Sequence, residues 1–327
     1  MSEQKKRISI VVPCFNEEGN VANMASKIRE VMAELPQYEY ENLFIDNDST
    51  DGTQGLLRKC AAEDRRIKVI LNNRNFGHDC SMFHGLMSAR GDAVIFICCD
   101  FQEPPEMIVD FVKGWEQGAK VVWGQRKTTA GNRLMAATRS IYYKIIRKLS
   151  SLPQYDNVIG FGLYDREVID NLREMRDPAP FVRNMVPVLG YKPVLIPYDQ
   201  RERASGKSSY NLFSYVNTAL NALVHTSKVP LKLAIWLGMT FSFISLLVGM
   251  FYLVYKLLFW DSFAVGLAPV VIMVSFIASL QLFFLGILGE YVLAIQDRVS
   301  FSKYVIEKER INFDEGERPE CDSTKTP

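Results

Sequence analysis

Short apolar runs alternate with longer amphipathic stretches through the first two thirds of the chain. The short runs are rich in valine and isoleucine, and we predict five strands, at Ile8–Val12, Leu43–Ile45, Lys68–Leu71, Ala93–Cys98 and Lys120–Trp123. The stretches between them have helical periodicity, and we predict three helices, at Val21–Leu35, Gln54–Glu63 and Asp79–Arg90. This alternation of strands and helices predicts an α/β domain with a mainly parallel sheet.

The hydrophobic pattern changes in the last third of the chain. Leu233–Tyr255 and Ser262–Gly289 contain no charged residue, and each exceeds the roughly 20 residues that cross a bilayer as a helix. Buried helices of a soluble protein rarely lack charge over such lengths, so we predict two transmembrane helices joined around Trp260 and Asp261. Lysine and arginine flank the outer ends of this hairpin, whereas the connection carries little beyond Lys256. The positive-inside rule then places both ends in the cytoplasm.

Two further segments have one apolar helical face. Segment 212–224 directly precedes the hairpin, and we predict an interfacial helix there. Segment 134–149 interleaves leucine and isoleucine with arginine and lysine, so it either lies on an anionic membrane or packs on the domain with its basic face in water. The predicted division is an α/β domain (1–210), an amphipathic juxtamembrane helix (211–231), two transmembrane helices (232–297) and a cytoplasmic tail (298–327) with a disordered end.

Composition indicates the cellular setting rather than the chemistry. The chain carries 38 basic and 37 acidic side chains, for a net charge of +1, and this balance gives no case for a nucleic-acid partner. The 6 cysteines form neither a disulfide framework nor a zinc spacing. No N-terminal run is long enough for a signal-peptide core. We therefore expect the α/β domain in the reducing cytoplasm, which agrees with the charges around the hairpin.

Polar side chains follow four of the five predicted strands. Acidic and amide groups occur at 16–18, 46–51 and 100–103, and Gln125 and Arg126 follow the last strand. Because parallel sheets bind ligands beyond the carboxyl ends of their strands, these groups should converge on one edge. Oxygen ligands of this kind suit Mg²⁺ or Mn²⁺ shared with a substrate's phosphates. Part of the second group has a simpler explanation, since aspartate and serine also favour turns and helix caps.

Five motifs occur in a fixed order ahead of the predicted hairpin. Val11–Glu17 reads VVPCFNE, Ile45–Thr53 reads IDNDSTDGT and Asp100–Glu106 reads DFQEPPE. The shorter elements are Asn75–Gly77, which reads NFG, and Ala89–Asp92, which reads ARGD. In this order the motifs resemble those of the family-2 glycosyltransferases, in the polyprenyl-phosphate branch that includes dolichol-phosphate mannose synthases and bacterial polyprenyl-phosphate glucosyltransferases. The resemblance extends over most of the chain.

The resemblance implies a GT-A fold, a nucleotide-sugar donor and a polyprenyl-phosphate acceptor. The implied nucleotide-sugar pocket consists of Pro13, Phe15, Asn16, Glu17, Asp46, Asn47, Asp48 and Asp100. Asp100 and Gln102 match the positions that hold the divalent metal, and Asp100 is also the implied catalytic residue. Guanidinium groups suit phosphate oxygens. The basic residues placed to meet the lipid phosphate are Arg126, Arg139, Arg201, Arg203 and Lys207. For the last three, an ordinary solvated loop is the alternative.

Three positions depart from the family pattern. Asn47 replaces the second aspartate of the turn, Cys98 replaces the first acid of an Asp-x-Asp metal motif, and Gly160 replaces an acid near the reacting centre. These losses do not abolish the chemistry, because a lipid phosphate with a second pKa of about 6 is already largely an anion at neutral pH. If a base acts, Asp156 is the acid nearest to the altered segment.

We therefore predict a multi-pass enzyme of the inner membrane with a cytoplasmic catalytic domain. It would transfer a hexose-type sugar from a UDP- or GDP-sugar to a polyprenyl phosphate, with Mg²⁺ or Mn²⁺ and with inversion. A homo-oligomer is expected, because glycines in the hairpin offer close-packing surfaces. The missing acids leave one alternative, a catalytically degenerate membrane scaffold or partner subunit. A transporter is disfavoured, since two helices form no pathway and contain no paired charges.

Overall fold

The computed structural model describes residues 5–127, 153, 155–175, 180–201, 267–299 and 305–314, with scattered positions between 236 and 258. Several predictions fall outside these residues. They concern the basic segment 134–149 with Arg139, the loop residues Arg203 and Lys207, the helix at 211–231 and the end of the tail at 315–327. By its internal contacts the chain divides into two units, of which the first holds the sheet and the second holds the predicted hairpin.

The described residues of the first unit form a mixed sheet of eight strands. In chain order these are β1 (Arg7–Cys14), β2 (Glu39–Asp46), β3 (Ile67–Asn72), β4 (Ala93–Phe96), β5 (Val121–Arg126), β6 (Gly162–Asp165), β7 (Val194–Tyr198) and β8 (Glu307–Ile311). Across the sheet the order is β7-β5-β6-β4-β1-β2-β3-β8. Only β6 and β8 of these strands run antiparallel to their neighbours. The predicted α/β domain with a mainly parallel sheet is confirmed.

Helices cover both faces of this sheet. The described helices are α1 (Val21–Ala33), α2 (Thr53–Glu63), α3 (His78–Ser88), α4 (Met107–Glu116), α5 (Arg166–Glu174), α6 (Val182–Val188) and, in the second unit, α7 (Leu267–Val299). Helices α1, α2 and α4 share one hydrophobic core with the sheet, and α3, α5 and α6 share the other. Successive strand residues belong to opposite cores: Ile10 and Val12 lie in the core with α1, α2 and α4, and Val11 lies in the core with α3. Burial on both faces explains why the central strands are apolar throughout.

The five strands and three helices predicted for the α/β domain are all present, with ends shifted by a few residues. The largest extension is in β2, whose first half contains Glu41. This acid is buried, accepts a hydrogen bond from Ser9 Oγ at 2.5 Å and lies 3.0 Å from Lys68 Nζ. Because Glu41 is charged, a hydrophobic pattern does not detect this first half of the strand.

Strand β8 lies within the segment predicted as a tail. It pairs with β3, with Ile70 opposite Arg310. Asn312 then donates to the backbone oxygens of Ala61 at 2.7 Å and Ile67 at 2.8 Å. After the second unit, therefore, the chain returns to the sheet and covers the edge that β3 would otherwise expose.

In the second unit, the described positions between 236 and 258 and those of α7 are helical. Many of its described large apolar side chains are exposed, including Trp236, which is 69% exposed, and Leu258, which is 71% exposed. Within the part of the chain that the structure describes, no helix combines the length and apolar character needed to cross a membrane.

Candidate active site

The carboxyl edge of the sheet collects the polar loops that the sequence places after the strands. Pro13 and Cys14 end β1, Asp46 ends β2 opposite Cys14, and Arg126 ends β5. Asp100 follows β4, which is the other neighbour of β1. The loop that follows Asp46 and the loop that carries Asp100 therefore flank the loop that follows Cys14, as a parallel sheet requires.

The loop after β1 is fastened to the loop after β2. The Asn16 N–H donates to Ser49 Oγ at 2.9 Å, and Asn16 Oδ1 accepts from the Thr50 N–H at 2.8 Å. The Glu17 N–H donates to Thr53 Oγ1 at 2.9 Å. Asn16 has a φ of 55°, a left-handed conformation that asparagine tolerates well. The Asn16 side chain therefore shapes the loop.

Asp46 is a fully buried acid at this edge. Its Oδ2 accepts from the Ser49 N–H at 3.0 Å and from Gln54 Nε2 at 2.8 Å, whereas the buried Oδ1 has no hydrogen-bond partner among the described atoms. Burial, with a smaller effect of Asp48, raises the pKa of Asp46 against these hydrogen bonds. An unsatisfied buried acceptor suits an N–H or O–H group of a ligand. Phe15, another residue of the predicted pocket, follows β1 directly, and its ring is exposed.

Asn47, one of the three departures from the family pattern, is the centre of an amide network. Its Nδ2 donates to Asn75 Oδ1 at 2.9 Å. Its Oδ1 accepts from Asn72 Nδ2 at 3.1 Å and from the Phe76 N–H at 3.0 Å. Asn75 Oδ1 also accepts from the Gly77 N–H at 2.9 Å. An aspartate at position 47 would have no N–H to donate to this oxygen, so the amide suits its neighbours.

The loop after β4 carries the predicted metal ligands. Asp100 is 7% exposed, and its Oδ1 accepts from the Gln102 N–H at 3.2 Å. The turn between them needs a φ of 60° at Phe101. Glu103 is 2% exposed, and its Oε2 has no hydrogen-bond partner among the described atoms. Burial, together with the charge of Asp100, raises the pKa of Glu103 to about 7, against the effect of a hydrogen bond with Cys98.

The described residues contain no group of three or more histidine, cysteine or acidic side chains placed to hold a metal. A divalent ion at this loop would be held by Asp100 and the Gln102 amide, with donor phosphate oxygens and water completing its coordination. The buried, unpartnered oxygen of Glu103 lies beside them, and it is the kind of orphaned acceptor that a cation satisfies. These residues therefore fit a hard divalent cation.

Two of the predicted phosphate-binding residues are described at this edge, and both contact the protein itself. Arg126 Nη1 donates to Gln200 Oε1 at 2.5 Å. Arg201 Nη2 lies 3.3 Å from Glu106 Oε2. The Arg201 backbone N–H donates to the backbone oxygen of Gln102 at 3.1 Å. The Arg201–Glu106 pair is exposed, and such pairs contribute about 0–1 kcal/mol. The Arg201 guanidinium can therefore change partner at little cost.

The segment before β6 returns to the same edge. The Asp156 backbone oxygen accepts from Gln125 Nε2 at 3.0 Å, which places Asp156 beside the end of β5. Gly160, where the family pattern has an acid, has a φ of 93°. A Cβ at Gly162 would lie 2.1 Å from the Val122 oxygen. The backbone is therefore incompatible with a side chain at that position.

The ARGD motif lies at the opposite, amino edge. Asp92 Oδ2 accepts from the Arg7 N–H at 2.8 Å, and the Gly91 N–H donates to Ser9 Oγ at 2.7 Å. A Cβ at Gly91 would lie 2.6 Å from the Ser9 nitrogen. The motif joins β4 to β1 and takes no part in the candidate site.

Several buried polar residues of the site are absent from the predicted set, among them Glu103 and Asn72. Glu103 is the second acid of the DFQEPPE motif, so the motif itself contained the signal. Asn72 ends β3 and donates to both Asn47 and Ser81. Its position at a strand end was the available signal, because the same rule selected Asp46.

Comparison with known proteins identifies the family. Residues 9–173 match Glycosyl transferase family 2. The chain belongs to this family. The SfII prophage-derived bactoprenol glucosyl transferase of Shigella flexneri is 33% identical, over 92% of this chain and 98% of that one. The uncharacterized glycosyltransferase YkcC of Bacillus subtilis (strain 168) is 31% identical, over 92% of this chain and 93% of that one. The predicted resemblance is confirmed, and the protein is a glycosyltransferase.

Among solved structures, the mannosyltransferase PcManGT from Pyrobaculum calidifontis, in complex with GDP-Man and Mn²⁺, matches with a TM-score of 0.47 and 18% identity. The match covers 68% of this chain and 63% of that one. The mixed, mainly parallel sheet of the first unit agrees with the GT-A fold expected for the family.

Proposed function

We propose that this glycosyltransferase transfers a hexose-type sugar from a UDP- or GDP-sugar to a polyprenyl phosphate, with a divalent metal and with inversion at the anomeric carbon. The observation that carries the proposal is the meeting of Asp46, Asp100 and Gln102 at one edge of the sheet. Asp46 offers an unsatisfied acceptor to the nucleotide, and Asp100 and Gln102 offer oxygen ligands near its diphosphate. Relatives named bactoprenol glucosyl transferase support the choice of acceptor.

In the proposed reaction an oxygen of the acceptor phosphate attacks the anomeric carbon from the face opposite the donor's diphosphate. The bond between that carbon and the diphosphate oxygen breaks, and its electron pair leaves with the nucleoside diphosphate. No base is required, because a phosphomonoester with a second pKa of about 6 is largely a dianion at neutral pH. A divalent ion held by Asp100 and Gln102 would neutralise charge on the leaving diphosphate.

The same edge offers groups for the acceptor. We assign the lipid phosphate to Arg126 and Arg201, because both guanidinium groups lie beside the metal loop and Arg201 has only an exposed partner. Asp156 is the acid we assign to any proton transfer, since it lies next to Gln125 at the end of β5. Unchanged turnover of Asp156→Asn would remove it from the mechanism.

We propose further that the second unit anchors the enzyme in a membrane, with the sheet on the cytoplasmic side. Exposed apolar side chains such as Trp236 and Leu258 favour this setting, since water disfavours extended apolar surface. Connectivity also favours a hairpin. The chain leaves the sheet after β7 and returns to it at β8, so any membrane between these strands must be crossed an even number of times. Two spans meet this condition.

The direct test is a transfer assay. Detergent-purified protein is incubated with Mn²⁺ or Mg²⁺, a short polyprenyl phosphate and a panel of UDP- and GDP-sugars, and the glycolipid is detected by mass spectrometry. We expect a product whose anomeric configuration is opposite to that of the donor. Asp100→Asn should abolish the product. The matched control Asp110→Asn should retain it, because Asp110 is exposed on α4 and pairs only with Lys113 at 3.4 Å among its described contacts.

The acids missing at Cys98 and Gly160 favour one second candidate, a membrane scaffold without catalytic activity. The same assay separates the two functions. Absence of product with every donor, together with absence of donor binding in calorimetry, would reject the transferase and favour the scaffold. A retained anomeric configuration would reject the single-displacement mechanism alone.

A further inference from the structure

The loop after β4 carries a second acid, Glu103, besides Asp100. Cys98 occupies the position at which the family pattern has the first acid of its metal motif. Glu103 lies five residues further along the chain, yet its carboxyl group is hydrogen-bonded to the Cys98 thiol. The carboxylate missing at position 98 is therefore supplied beside that position by another residue of the same loop.

The Glu103 carboxylate is not satisfied by the contacts of the protein. The residue is 2% exposed, and Oε2 is buried without a hydrogen-bond partner among the described atoms. Arg126 has an electrostatic effect on Glu103, but its Nη1 donates to Gln200. A buried carboxylate oxygen without a partner is costly unless a ligand supplies one.

The surroundings of this oxygen identify the ligand as a cation. Asp100 lies close enough for the two carboxylates to repel each other. The Gln102 backbone is held by the Arg201 N–H at 3.1 Å and by Asp100 Oδ1 at 3.2 Å, so the loop has a defined shape. Two carboxylates and an amide at one loop form an oxygen-rich site, which suits Mg²⁺ or Mn²⁺.

We propose that Glu103 is the second acid of the divalent-cation site and replaces the acid that is absent at Cys98. This assignment rests on the proposed function, because the cation is the one that accompanies the donor diphosphate. The two positions are then interchangeable: an acid at position 98 makes the acid at position 103 dispensable. If Glu103 had a purely structural role, an acid at position 98 would not restore the cation binding that is lost with Glu103.

A double-mutant cycle tests the exchange. Mn²⁺ binding is measured by electron paramagnetic resonance on the full-length, detergent-purified protein, with and without UDP or GDP, so the readout is independent of turnover. Glu103→Gln should weaken Mn²⁺ binding by about ten- to a hundredfold. Adding Cys98→Asp to that variant should recover most of the loss. The control Glu116→Gln neutralises an exposed acid, bonded to Tyr38 at 2.8 Å away from this loop, and should leave binding unchanged.

Thermal unfolding separates binding from folding. Glu103→Gln removes a buried, unpartnered carboxylate, so its melting temperature should not fall. Glu103→Asp keeps the charge but shortens the side chain, and it should also weaken Mn²⁺ binding. Unchanged Mn²⁺ affinity in Glu103→Gln, or a loss that Cys98→Asp does not recover, would overturn the assignment alone. Wild-type protein that bound neither Mn²⁺ nor nucleotide would overturn the proposed function as well.

Discussion

Strand β8 is fastened to the rest of the sheet by a half-buried ion cluster around Glu307. Glu307 Oε1 lies 2.5 Å from His84 Nε2 and 2.6 Å from Arg310 Nη2, and Oε2 accepts from Arg310 Nε at 2.5 Å. The Arg310 guanidinium also stacks over the Phe313 ring at 4.8 Å. Because His84 belongs to α3, the cluster joins the returning strand to a helix of the catalytic domain. We predict that Glu307→Gln releases this strand locally.

The magnitude follows from the pKa of Glu307. Burial alone would raise it, but hydrogen bonds from Arg310 and His84 outweigh burial and lower the pKa to about 2. Relative to an ordinary glutamate pKa of about 4.3, this corresponds to about 3 kcal/mol of folding free energy at neutral pH. The folded-state pKa is the lower one, so this contribution is present above about pH 4.3 and is lost as the pH falls towards 2.

Hydrogen exchange measures this contribution directly. At pH 7 the amides of Glu307–Ile311 should exchange about a hundredfold faster in Glu307→Gln, since about 1.4 kcal/mol corresponds to a factor of ten. The control Glu309→Gln lies on the same strand and breaks a 2.6 Å pair with Arg58 that is 41% exposed on both sides. Its effect should stay within about 1 kcal/mol. Equal exchange rates in the two variants would refute the special role of the buried cluster.

Three other substitutions test contacts inside the domain by thermal or urea unfolding. Gly162→Ala places a Cβ 2.1 Å from a backbone oxygen of β5 and should lower the free energy of unfolding by about 3 kcal/mol. The control Gly55→Ala in α2 meets nothing within 4 Å and should raise the free energy of unfolding by about 0.5–1 kcal/mol. Equal melting temperatures of the two variants would contradict the clash. Asn47→Asp should lower the free energy of unfolding by about 1–3 kcal/mol, because a carboxylate oxygen would face Asn75 Oδ1. An unchanged melting temperature would contradict this repulsion and show that the Asn75 amide flips to donate its N–H. Burial would raise the pKa of Glu41, but its hydrogen bonds and Lys68 outweigh burial and lower the pKa. The free energy of unfolding that Glu41→Gln removes at pH 7 should therefore shrink as the pH falls below the ordinary glutamate pKa. A difference in free energy between wild type and variant that does not change with pH would contradict this sign.

The strands that the sequence predicts are those with apolar residues on both faces. β1 is the clearest example, because its residues from Ile8 to Cys14 are buried. β8 is the opposite case, since Glu307–Ile311 contains four charged residues and is held by ion pairs with Arg58 and His84. A hydrophobic pattern carries no signal for such a strand, because its partners lie more than two hundred residues away in the chain.

At the candidate site, too, the sequence predicts where the loops lie but not which contacts their side chains make. The loops after β1, β2 and β4 could be predicted to meet, because the ends of parallel strands share one edge. Which side chains face a ligand could not be predicted. Asn16 and Asn75 belong to family motifs, yet their side-chain bonds hold the loops of the protein together: Asn16 bonds to the loop after β2, and Asn75 bonds to Asn47 and Gly77. The burial of Glu103 depends on how its loop folds back to Cys98, and residue type alone does not encode that contact.

The chain leaves the first unit after β7 and returns to it at β8. At both points, residues of the first unit are linked by hydrogen bonds to loops of the donor site. After β7 the chain reaches Arg201, whose N–H bonds to the Gln102 oxygen in the metal loop. On its return, β8 holds α3 through the His84–Glu307 contact, and the Gly77 N–H just before α3 bonds to Asn75 in the amide network. β7 and β8 are also the two edge strands of the described sheet. The same contacts that close the sheet therefore tie the shape of the donor site to the segments that lead into and out of the second unit.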